Sequence, residues 1–162
     1  MRTTAILSFA SALALAVWFG GLTVLGAVVA PIVFRTVHAP TSADAMTLVF
    51  ARFDAIKVGA ALLALGAEAA RIRSAECVGR LCALRGIALL LAASLAMSGA
   101  TLVTPVIAEL HQAGAVRLVG PEGQKLERYH RVAEGMAKAE VALLVGIFGV
   151  TAAASVRRSK AV

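Results

Sequence analysis

The chain has 162 residues, 60% of them hydrophobic, with a mean hydropathy of +0.87 and a net charge of +7. Soluble domains of this length are only about half apolar, so an ordinary soluble core is excluded, and 5% aromatic residues disfavour a barrel with aromatic girdles. Lys and Arg fall between apolar runs and do not gather on one soluble face, so the basic excess reads as membrane-orienting loops and not as a nucleic-acid surface.

The first element is a run without charge from Thr3 to Phe34, longer than the roughly 20 residues that cross a bilayer. Its basic start and small residues look like a secretory signal, but the apolar stretch of a signal stops after about 7 to 15 residues. The run is therefore read as a retained span, over about residues 4–35. Gly20, Gly21 and Gly26 in this run, with Gly59 and Gly66 further on, sit in small-residue patterns that let helices approach closely in lipid. Pro31 marks a kink or helix end near the membrane surface.

The next span, about 46–70, holds Arg52, Asp54 and Lys57 in its outer part, with Asp54 and Lys57 spaced to pair on one face. Glu68 lies one turn from Arg71, which neutralises it. Cys77 and Cys82 follow, five residues apart. They match neither a CxxC pair nor a closed zinc site and are expected as free thiols in a cytoplasmic loop.

Gly86 to Ala108 is again free of charge and forms the third span, about 86–108. Its hydroxyls, Ser94 among them, either line a polar stripe or bond back to their own helix. The last span, about 133–156, is entered through "ERYHRVAEGMAKAE", which sets Glu127 with Arg131, His130 with Glu134, and Glu134 with Lys138 one turn apart. The expected architecture is all-α, a four-helix transmembrane bundle with short loops.

Outside these spans, eight Lys and Arg lie in the termini and the 71–85 loop, against five on the other side. The positive-inside rule then puts both termini in the cytoplasm. Ionisable groups within spans are costly and often mark function. Arg35, Asp54, Lys57, His130, Glu134 and Lys138 map to one end, the non-cytoplasmic one, and form the candidate polar binding cluster. His38, His111 and His130 are the candidate metal ligands, since imidazole and carboxylate suit a transition ion. None of the histidines is deep enough for bis-His haem, no cofactor is expected, and no nucleophile with a base beside it points to an enzyme.

Three segments, "GGLTVLGAVVAPIVFR", "TPVIAEL" and "LERYHRVAEGMAKAEVALL", together resemble the bacterial branch of the transmembrane protein 205-like family, domain of unknown function 4149. Members show a glycine-rich first span closing on a proline and an aromatic-basic pair, here Pro31, Phe34 and Arg35. The entry to their last span matches Leu126, Arg128 and His130, with Tyr129 where an aliphatic residue is commoner. The resemblance implies a four-span integral membrane protein without an established activity. Its animal relatives are linked to cellular handling of platinum drugs, which suggests metal or small-molecule transport. The expectation is a bacterial inner-membrane protein of binding or transport type, in contact with lipid and assembled as a homo-oligomer or within a larger membrane complex. The alternative is an accessory subunit with no activity of its own.

Overall fold

The computed structural model describes residues 2–74 and 79–159, with side-chain surroundings for 5–74 and 79–156. It contains four helical rods and, among the described residues, no strand. The first rod is α1 (Arg2–Val24), a π turn (Leu25–Val29) and α2 (Ala30–Thr36). The second is α3 (Thr41–Arg73). The third is α4 (Arg80–Ser98), a second π turn (Gly99–Val103) and α5 (Thr104–Gln112), and the fourth is α6 (Gly120–Ser159).

Both π turns have the same local cause. Pro31 and Pro105 each stand second in the α-segment that follows. Proline lacks an N–H and its ring crowds the carbonyl four residues earlier, so a widened turn ahead of it relieves the clash without ending the rod. The first rod accordingly continues through Pro31 to Thr36. A short turn and the Pro40-led start of α3 then reverse the chain.

The first rod packs along α3, α4 packs along α6, and α3 with α4 closes the two hairpins into a bundle. The core is small-residue packing: Ala14, Ala60, Ala61, Ala64, Ala92, Ala93 and Ala96 interleave with Leu15, Trp18, Leu89, Leu144 and Ile147. A second patch, Val103, Ile107, Leu110 and Leu126, joins α5 to the start of α6.

Alanine does the close packing that the sequence assigned to glycine. Of the helical glycines at 20, 21, 26, 59 and 66, only Gly21 needs to be glycine. A Cβ there would lie 2.2 Å from the Phe53 ring, whereas at the other four it would meet nothing within 4 Å. The expected packing role of Gly20, Gly26, Gly59 and Gly66 is therefore corrected. Gly26, Gly59 and Gly66 are exposed and Gly20 is half-buried beside open space. A different constraint holds Gly123, where a Cβ would meet the Val116 carbonyl oxygen at 2.1 Å as the loop folds back onto the start of α6.

Three rods are long and apolar enough to cross a membrane: Ala5–Thr36, Arg80–Gln112 and Gly120–Val156. Arg52, Asp54, Lys57 and Glu68 keep α3 out of that group. Yet α3 is built inside out for a helix in water. Asp54, Lys57 and Glu68 point into the bundle, while Leu48, Ile56, Leu62, Leu63 and Ile72 face outward, each more than half exposed.

Candidate functional site

Two buried polar clusters are stacked along the bundle. The first lies at mid-height, since Lys57 is the central residue of α3. Its ammonium contacts Asp54 at 2.9 Å and Glu140 at 3.4 Å. The Trp18 indole Nε1–H donates to Glu140 Oε2 at 2.9 Å, and the Thr104 hydroxyl donates to Asp54 at 2.6 Å. Trp18 comes from the first rod, Asp54 and Lys57 from the second, Thr104 from the third and Glu140 from the fourth. One continuous network thus ties all four.

This network is almost fully withdrawn from solvent: Trp18 is 0% and Glu140 1% exposed. Two carboxyls share a single ammonium, which leaves a formal excess of one negative charge. Such an imbalance is costly in a medium of low dielectric and sets the chemistry available there, namely taking up a proton or a small cation.

The second cluster lies toward the ends of the rods that carry Arg71 and Arg85. Glu68 Oε2 accepts from Arg71 at 3.2 Å and forms an ion pair with Arg85 at 3.1 Å. Arg85 also donates to the Ser11 hydroxyl at 3.1 Å. The expected pairing of Glu68 with Arg71 is present, and Arg85 joins it from α4. Eleven residues of helix separate Lys57 from Glu68, roughly 16 Å at 1.5 Å per residue. Alanine-rich packing fills the interval.

The polar groups expected to gather at one end are instead distributed. Asp54 and Lys57 pair, but at mid-height. Glu134 and Lys138 meet at 2.7 Å with both side chains mostly exposed. His130, half-buried, does not bond Glu134. It stands edge-to-face with His111, ring centres 5.8 Å apart. Glu127 pairs with Arg131 at 3.5 Å and with Arg117 from the loop. Arg35 is exposed at the end of α2, and His38 in the turn beyond it.

The reason is rotation. Two residues on from Lys138, a helix has turned by about 200°, so Glu140 faces Lys57 while Lys138 faces away. Of the three candidate metal ligands only His111 and His130 meet. No group of three His, Cys, Asp or Glu among the described residues could hold a metal ion. Because the Glu134–Lys138 pair is exposed, Lys138→Ala should leave the unfolding midpoint in detergent unchanged within error.

Reasoning from the sequence missed Trp18, Thr104, Ser11, Arg85 and the inward aim of Glu140. Two signals were present. A tryptophan in a charge-free run needs an acceptor for its N–H when buried, and an acid inside a span needs a donor. The hydroxyls of Ser94 and Thr101 bond back to Leu90 and Met97 carbonyls at 2.8 and 2.7 Å, so they form no polar stripe. Cys82 is disulfide-bonded and no described cysteine is a free thiol, which corrects the free-thiol expectation. Cys77 lies outside the described residues.

No curated protein and no solved structure matches the chain. The family model described as domain of unknown function DUF4149 matches residues 13–115. That stretch contains Trp18, Asp54, Lys57, Glu68, Arg85 and Thr104, and both π turns. Since the match spans well over half of a 162-residue chain, this bundle of apolar helices belongs to the DUF4149 family.

Proposed function

We propose that this is a four-span membrane protein of the transport type, in which the Asp54–Lys57–Glu140 cluster binds a proton near the middle of the bilayer. The inside-out surface of α3 supports a fourth crossing, because apolar side chains outward and charges inward is the arrangement lipid favours. The observation that carries the reading is the shared ammonium: two buried carboxyls against one Lys57, on two of the four rods, with a proton restoring neutrality. Nothing in the cluster resembles a catalytic set, and the reading needs no cofactor. Four slender rods enclose little space, so movement of a larger solute, a metal ion or small molecule, would require several copies or a partner subunit. The positive loops favour a bacterial inner membrane with both termini cytoplasmic.

The test is proton flux. Purified protein in vesicles carrying an internal pH dye should collapse an imposed pH gradient faster than empty vesicles, and Glu140→Gln should remove the difference. Wild-type vesicles that behave as empty ones would overturn the proposal.

A second reading has its own support. The same network bonds every rod to another, which is what a structural lock in an accessory subunit of a larger complex needs. It predicts no flux, unchanged insertion, and copurification of the chain with larger partners in mild detergent.

A further inference from the structure

The second cluster has no part in the proton reading. Arg85 is 6% exposed, yet its Nε–H meets no acceptor. A buried guanidinium donor without a partner is uncommon, because the desolvation it has lost is not returned by any bond. Its other nitrogens are engaged by Glu68 and Ser11. Arg71, whose side chain is 15% exposed, brings a second guanidinium to the same Glu68 oxygen. Among the described residues two cations stand against one carboxyl, a formal excess of one positive charge, opposite in sign to the mid-height cluster. Arg85 sits five residues in from the start of α4, about 8 Å below the rod end.

We propose that Arg85, Arg71 and Ser11 form a site for a singly charged phosphate oxyanion. The planar guanidinium fork matches phosphate oxygens, with Nε–H as the open donor. The Ser11 hydroxyl can donate to an oxygen while accepting from Arg85. One negative charge balances the group, which suits a phosphodiester as well as inorganic phosphate. Basic pockets between spans are a recurring site for anionic headgroups. The two sources share this chemistry and differ in the tail.

The experiment measures thermal unfolding of the full chain in neutral detergent with added phosphatidylglycerol, phosphatidylcholine or inorganic phosphate. Phosphatidylglycerol or phosphate should raise the midpoint in a saturable way, and phosphatidylcholine should not. A response to phosphatidylglycerol alone assigns the site to a lipid, and a response to phosphate assigns it to the free anion. Arg71→Gln, at the rim of the cluster, should weaken the apparent affinity about tenfold, the loss of one charge-assisted bond. Arg73→Gln, an exposed basic neighbour, should leave it unchanged. If Arg85→Gln does not fold, Arg71→Gln and Ser11→Ala carry the test. A midpoint insensitive to both anions, or one that shifts equally in wild type and Arg71→Gln, overturns the proposal.

Discussion

Glu140→Ala should destabilise the bundle by about 1 to 3 kcal/mol, the cost of leaving a buried donor without its acceptor, while Lys57 keeps Asp54. The substitution strips the acceptor from the Trp18 N–H and the second carboxyl from Lys57, both buried. Glu140→Gln keeps an oxygen for Trp18 and should cost less. A cycle with Lys57→Met separates the pair from its parts. Lys57→Met strands both carboxyls, whereas Glu140→Ala leaves Lys57 with Asp54, so removing Glu140 as well should relieve part of the loss and the double variant should lose less than the sum of the two. The measurement is reversible unfolding of the detergent-solubilised protein. Strictly additive losses would mean that Lys57 and Glu140 do not interact.

The second large effect turns on neighbouring glycines. Gly21→Ala should cost about 1 to 3 kcal/mol, the usual penalty of overpacking, because its Cβ would stand 2.2 Å from the Phe53 ring. Gly20→Ala, with nothing within 4 Å of its Cβ, should instead stabilise, by up to about 1 kcal/mol through helix propensity. The same change on adjacent residues thus has opposite signs. Phe53→Leu should rescue Gly21→Ala by vacating the ring position. Equal thermal midpoints for the two alanine variants would refute this packing.

The bundle was readable from charge-free runs, because lipid-facing rods must be apolar all round and their lengths are set by the bilayer. The site was readable only in part. Asp54 and Lys57 stood out as charges within a span, and their spacing forecast the pair. Their partners did not follow, since a sequence shows which charges share a helix but not how one helix is rotated against another. Glu134 and Lys138 form a good ladder one turn apart and still face outward, while Glu140, two residues on, faces in. The glycine pattern misled for a related reason. In a chain this rich in alanine, close approach is met by Ala60, Ala64, Ala92 and Ala96, and glycine is required only where a ring, that of Phe53, presses on the backbone.

The two clusters of opposite formal charge, roughly 16 Å apart along the bundle, also have an electrical consequence. Moving one charge across the whole membrane is worth about 2.3 kcal/mol per 100 mV, and this separation covers about half of the 30 Å hydrocarbon layer. The bundle is therefore a dipole worth about 1 kcal/mol per 100 mV, with its positive end on the side of Arg71 and Arg85. In a cell whose interior is negative, voltage favours that end facing inward, the same orientation that the basic loops prefer. Filling either cluster with its counter-charge would cut this coupling, so occupancy and membrane voltage are linked through the same few side chains.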